Sequence, residues 1–255
     1  MNPDDDVRRT APHDRDSAPE RPGPHVPGDL GHGALGRLTA VVYWFAVVTV
    51  LLALACVPTI VLLLLLDRAW SNVLLGAVFA IPVGPALSAA LYTMRDRERL
   101  GRDADAELAP ARSFVRGYRL GAADVLRVWA PALVVLGIIG QVLANADAAG
   151  VSGAYAVVLA VIALGVLTWA LHAVAIATFF SFRTRDVARL AAHYLIRFPV
   201  VSFGVVSLVV VAGALVWLGT EVLLALVGGV WAWFWYRGDQ RLLDDVRDRF
   251  TAPDN

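Results

Sequence analysis

Lysine is absent from this chain of 255 residues; all 22 basic residues are arginine. Cysteine occurs once, at Cys56, which excludes an intramolecular disulfide framework and any paired-cysteine metal or redox site. Charge is scarce as well. Only 17% of residues are charged against 58% hydrophobic, with a mean hydropathy of +0.63, whereas an ordinary soluble domain is roughly 25% charged and about 45–50% apolar. A water-soluble globule is therefore not expected. The formal net charge of zero argues against a broad basic face, and hence against nucleic acid as a partner. Catalytic signatures are missing too: no HExxH, no Walker A loop, no GxSxG, and no paired carboxylates at helical spacing within the apolar runs. A membrane protease, an ATPase or a metalloenzyme is not expected, and no metal or cofactor is implied.

Three segments differ in what they do contain. Residues 1–34 carry six prolines, seven acids and four arginines with no apolar periodicity. Such a segment cannot bury enough surface to offset its ordering entropy, so a disordered cytoplasmic tail is expected. Arg8-Arg9 resembles a twin-arginine export signal, but the first apolar run begins about thirty residues later, so the pair reads as incidental and no cleavable signal is expected. Residues 35–250 alternate long apolar runs with short charged ones and form an integral membrane domain; residues 251–255 are a short C-terminal tail.

A helix needs about 20 apolar residues to cross a bilayer. Six runs meet that need: 39–66, 72–94, 128–146, 154–180, 199–218 and 221–236. The expected fold is an all-α, polytopic membrane helical bundle of six transmembrane helices, with cytoplasmic amphipathic interfacial helices. The first run is longer than a membrane requires, and Pro58 is expected to kink it or its Leu62–Leu66 end to project. The stretch 199–236 would run about 57 Å as one helix, so a hairpin at Leu218-Gly219-Thr220-Glu221 is expected. Orientation follows from the arginines: 21 fall in the N-terminal tail, the loops after spans two and four, and the C-terminal tail, with only Arg68 on the other side. Both termini are then cytoplasmic. Tyr43-Trp44, Trp129, Phe179-Phe180 and the run Trp233-Phe234-Trp235-Tyr236 sit at inner ends, where amphipathic rings belong.

Four features could carry function. From Pro110 onward, Arg112, Arg116, Arg119 and Arg127 fall within about an 80° stripe at roughly 100° per residue, opposite Phe114, Tyr118, Val125 and Trp129. This is the pattern of an interfacial amphipathic helix with its apolar side in the headgroups, serving as an orientation anchor, a lipid surface or a docking surface for a cytoplasmic partner. Residues 184–197 repeat it, with Val187, Leu190 and Tyr194 on one face and Arg185, Arg189 and His193 on another. The stretches 119–127 and 189–197 share four of nine residues, compatible with an internal repeat of amphipathic helix plus two spans. Second, Pro82, Gly84 and Pro85 demand a kink or break in span two, either a packing kink or an exposed backbone site. Third, His172 is the one deep intramembrane ionisable group. With no acid read at its depth, it is either a functional site with Gln141 or a neutral histidine donating to a carbonyl or to Gln141. Fourth, Gly137, Gly140, Gly165 and Gly213 are candidate packing notches.

The order of several short motifs resembles the YesL-like family of small bacterial integral membrane proteins of unknown function. The motifs are Gly84-Pro85-Ala86 followed by Ala89-Ala90-Leu91-Tyr92, then Ser113-Phe114-Val115-Arg116-Gly117-Tyr118 with Trp129 entering span three. Thr178-Phe179-Phe180 and Arg197-Phe198-Pro199 complete the series. The resemblance covers about residues 35–250; the acidic, proline-rich tail and the length between Pro58 and Pro85 depart from it. It implies a bacterial inner-membrane protein with a non-enzymatic accessory or scaffolding role. By gene association in that family, the implied partner is a sugar ABC-transporter subunit, with self-association the other expectation beside the lipid bilayer. A small-solute transporter or channel is the alternative.

Overall fold

The computed structural model describes residues 34–65, 72–100, 110–146, 148, 150, 152–218 and 221–250. The expected tail, apart from Ala34, and the C-terminal residues 251–255 lie outside them, as does the loop 101–109. Among the described residues the chain is all-helical, in the order α1 (Ala34–Ala55), α2 (Val57–Leu65), α3 (Val73–Phe79), α4 (Val83–Leu100), α5 (Pro110–Ala144), α6 (Gly153–Phe179), α7 (Thr184–Arg197), α8 (Pro199–Leu218) and α9 (Glu221–Phe250). Four segments are long and apolar enough to cross a membrane: Leu38–Ala55, Val73–Arg99, Pro110–Ala144 and Gly153–Phe179. The bent pair α7–α8 makes a fifth if it is counted as one span.

α6 is the central post. From Leu171 to Ala177 every side chain is buried, because α4, α5, α7, α8 and α9 all pack around this half of the helix. Ala170, Ala173, Ala175 and Ala177 give it a thin profile, which lets neighbouring backbones approach closely. Its first half differs: Tyr155, Val157, Val158, Val161 and Ile162 are exposed. Exposed apolar rows recur on α1 (Val42, Val50, Leu54), α5 (Val134, Val135, Ile138) and α8 (Phe203, Val210, Val211). Large apolar surface of this kind is unfavourable in water and natural in lipid. α1 turns Trp44, Val48 and Leu52 inward at helical spacing and meets α9 where Gly229 N–H donates to Thr49 Oγ1 at 3.1 Å.

The expected irregularities sit where proline places them, with two differences. Span one does break beside Pro58: α1 stops at Ala55 and α2 restarts at Val57, with Pro58 in a first turn that needs no N–H. Span two breaks one step earlier than the motif centre, at Ala80–Pro82, while Gly84 and Pro85 lie in the first turn of α4. α9 packs back along α8, with Trp231 Nε1 donating to the Leu208 carbonyl at 3.0 Å, in agreement with the expected hairpin; its residues 219 and 220 lie outside the described residues. The separate interfacial helix expected before span three is not separate. Residues 110–144 form one continuous helix through Pro131; no proline interrupts it between Pro110 and Pro131, and Gly117 and Gly121 do not break it. Its apolar face is also not turned to headgroups. Phe114, Val125 and Trp129 are buried in the protein, and α5 lies along α4.

Glycine makes that α4–α5 contact possible. A Cβ built on Gly117 would lie 2.7 Å from Tyr92 Cβ, and one on Gly84 would lie 2.5 Å from Trp129 Cγ. Of the four notches expected, Gly137 and Gly140 of α5 do face Ala77 and Val73 of α3, whereas Gly165 and Gly213 face open space. The two similar stretches 119–127 and 189–197 are both helical but part ways at equivalent positions. Trp129 continues α5, while Pro199 forces Phe198 out of the helical region (φ −116°, ψ 71°) and bends α7 against α8 by 99°.

Candidate functional site

Among the described residues, the arginine-bearing stretches of α4, α5, α7 and α9 meet at one end of the bundle. Ser113 of α5 donates to Asp96 of α4. Glu98 of α4 accepts from Tyr236 at 2.8 Å and from Gln240 at 3.2 Å, with Arg237 3.9 Å away. Tyr194 of α7 donates to Asp245 of α9 at 2.7 Å, and Arg249 holds the other oxygen at 3.0 Å. Burial and then the bond to Asp245 push the Tyr194 phenol up to about 12; that same bond, with Arg249 assisting, holds the Asp245 carboxyl below its ordinary 3.8. A cavity of about 230 Å³ opens here between Arg95, Glu98, Phe179, Tyr236, Gln240 and Arg247. The Arg95 guanidinium lies over Tyr92 and Phe179, 4.9 and 5.0 Å from their centroids.

Deeper in the bundle is the cluster around His172. The imidazole is 0% exposed, and its Nε2 lies 3.2 Å from Ser202 Oγ of α8. Ser202 donates in turn to the Leu195 carbonyl at 3.0 Å, so the contact bridges the elbow between α7 and α8. On the other ring edge, Nδ1 is 3.6 Å from Asp239 Oδ2 of α9, and Asp239 is 1% exposed. Trp235, one turn earlier on α9, donates its indole N–H to the same Oδ2 at 3.0 Å. His172 Nδ1 and Asp239 Oδ1 have no hydrogen-bond partner.

This geometry corrects the pairing of His172 with Gln141. The polar partners of His172 are Ser202 and Asp239; Gln141 sits far along α5, and its buried Oε1 has no partner. An acid does stand beside His172, against the expectation that none reaches its depth. Asp239 lies beyond Tyr236, where the apolar run of span six ends. α9 continues to Phe250, and Trp235, Asp239, Leu242 and Val246 share one stripe about 60° wide at roughly 100° per residue. An aspartate on an otherwise apolar stripe was the available signal. Ser202 and Trp235 gave none, since neither is unusual in a membrane helix.

The break at Pro82, Gly84 and Pro85 offers little to a substrate. The freed Phe79 carbonyl accepts from Thr59, and the Ala80 carbonyl accepts from Trp129 Nε1 at 3.0 Å. Both are satisfied from within, as a packing kink requires. Arg112, Arg116, Arg119 and Arg127 are exposed along the outer face of α5, with Asp124 paired to Arg127. Among the described residues no group of three or more His, Cys, Asp or Glu side chains could hold a metal ion. Comparison with known proteins gave no matching family model, no matching curated protein and no matching solved structure.

Proposed function

We propose that this chain is a six-span bacterial inner-membrane protein of the YesL-like kind, with both termini cytoplasmic, acting as a non-enzymatic accessory or scaffolding component. The observation that carries the reading is α5. Its first five turns are anchored on one side by Phe114, Val125 and Trp129 against the bundle, and they present Arg112, Arg116, Arg119 and Arg127 outward on the other. A rigid arm with four exposed guanidinium groups is suited to acidic side chains or phosphates at the membrane surface. The gathering of the arginine-bearing parts of α4, α7 and α9 at one end is the packing that a six-span topology would give. The partner proposed from the family resemblance is a subunit of an ABC-type carbohydrate importer, with self-association second; nucleic acid is not a partner. Purification in mild detergent tests the docking role. A partner recovered reproducibly by the native chain and lost with Arg112→Glu, Arg116→Glu and Arg119→Glu supports it. Recovery of no partner, or equal recovery by the variant, removes it.

One observation favours a second reading, a small-solute transporter or channel: the buried pair His172–Asp239 lies within the bundle, where ionisable groups mark ion and substrate pathways. Solute flux in proteoliposomes that disappears with Asp239→Asn would support it, and flux unchanged by that substitution would remove these residues from the pathway.

A further inference from the structure

Hydrogen-bond accounting at His172 leaves one proton to be placed. The Ser202 hydroxyl has a single hydrogen, and that hydrogen is directed at the Leu195 carbonyl. Toward His172 the serine oxygen can therefore only accept, which puts a hydrogen on Nε2. In a neutral imidazole, Nδ1 is then a bare lone pair. That lone pair faces Asp239 Oδ2 at 3.6 Å, with both residues essentially excluded from solvent. A bare nitrogen against an ionised carboxylate is repulsive. It would also leave an uncompensated negative charge inside the bundle, where burial of an unpaired charge costs several kcal/mol. Adding one proton removes both problems, whether it sits on Nδ1 or on the carboxyl.

We propose that His172 and Asp239 form a proton-binding site at the junction of α6, α8 and α9, occupied by one proton that resides on His172 Nδ1 or on the Asp239 carboxyl. Trp235 fixes the acceptor by donating to Oδ2, and Ser202 fixes the ring by accepting from Nε2. The remaining charged groups on the elements packed here are engaged elsewhere or exposed. On α4, Glu98 is held by Tyr236 and Gln240, and Arg95 lies over Tyr92 and Phe179. On α7, Tyr194 bonds Asp245, and Arg185, Asp186, Arg189, His193 and Arg197 are exposed; on α5, Asp124 and the four arginines are exposed. α8 carries no ionisable side chain, and Tyr43 of α1 is exposed. The site's charge is thus decided by its own two residues. Because Ser202 joins it to Leu195 across the 99° elbow, loss of the proton would be felt where α7 meets α8. The inference stands apart from the docking role of α5.

Nitrogen NMR on labelled histidine tests it. Substituting His13, His25, His32 and His193 by glutamine leaves His172 as the single labelled ring. At neutral pH in detergent, the expected Nδ1 resonance is that of a protonated nitrogen or of one accepting a hydrogen bond from a carboxylic acid. Asp239→Asn keeps an N–H donor beside Nδ1 but has no acidic proton to give the pair; it should abolish the acidic-proton signature while Nε2 stays protonated. A free, non-hydrogen-bonded Nδ1 in the chain with native Asp239 would overturn the proposal. So would a protonated Nδ1 unchanged by Asp239→Asn.

Discussion

At the scale of single residues, a few polar contacts join helices that are otherwise held by apolar packing. Trp235 donates to the buried Asp239. Trp235→Phe removes the donor and trims a fully buried ring, so it should cost about 1–3 kcal/mol or more, read as a lower thermal midpoint in detergent. The Tyr194–Asp245 bond has a pH signature that can be worked out in sign. The Asp245 carboxyl is depressed in the folded protein, so its contribution is present above its ordinary 3.8 and is lost as pH falls below that value. The Tyr194 phenol is raised, so its contribution is full below its ordinary 10.0 and is lost as pH rises toward about 12. Thermal midpoints of the native chain and Tyr194→Phe should differ most between these limits and converge beyond both. A difference that persists undiminished at the acid end would mean that the bond does not hold the carboxylate.

At the scale of elements, proline and glycine decide which apolar runs stay straight. Pro58 and Pro82 break spans one and two, Pro131 is carried within α5, and Pro199 sets the elbow. The α3–α4 break is stitched by Trp129, whose indole satisfies the Ala80 carbonyl. Trp129→Phe removes that donor and leaves the Ala80 carbonyl with the Val83 N–H alone at a half-buried kink, so a loss of about 0.5–1.5 kcal/mol is expected, checked by thermal denaturation in detergent. The close contact of α4 with α5 rests on Gly117 against Tyr92. A larger residue there must push backbone or ring aside, so Gly117→Leu should destabilise by about 1–3 kcal/mol or more, whereas the same change at Gly213, which faces open space, should be close to neutral. Much of this level was legible from sequence, since proline and glycine act through local backbone geometry. Which glycines are notches was legible only in part, because a notch exists only where another helix arrives.

At the scale of the whole molecule, the bundle is a central α6 wrapped in its C-terminal half by five helices, with an arginine-rich polar layer at one end among the described residues. The six-span topology predicts that a reporter fused after Asp147 is active on the outer side of the membrane and one fused after Arg189 on the inner side; the reverse pattern would invert it. The sequence by itself determined the helical class, the suitability for a membrane and, through proline, the breaks near Pro58 and Pro82. These follow from run length and backbone chemistry, both of which act over a few neighbouring residues. Tertiary structure alone decided that the arginine-faced stretch 112–127 is the continuation of α5 rather than a helix lying in the headgroups, because its apolar face has α4 to bury against. It alone brought Asp239 and Ser202, 67 and 30 residues from His172 in the chain, to the two edges of one imidazole. Helical periodicity places Asp239 on an apolar stripe, but which residue faces that stripe depends on the packing of α9 against α6, and no local pattern encodes it.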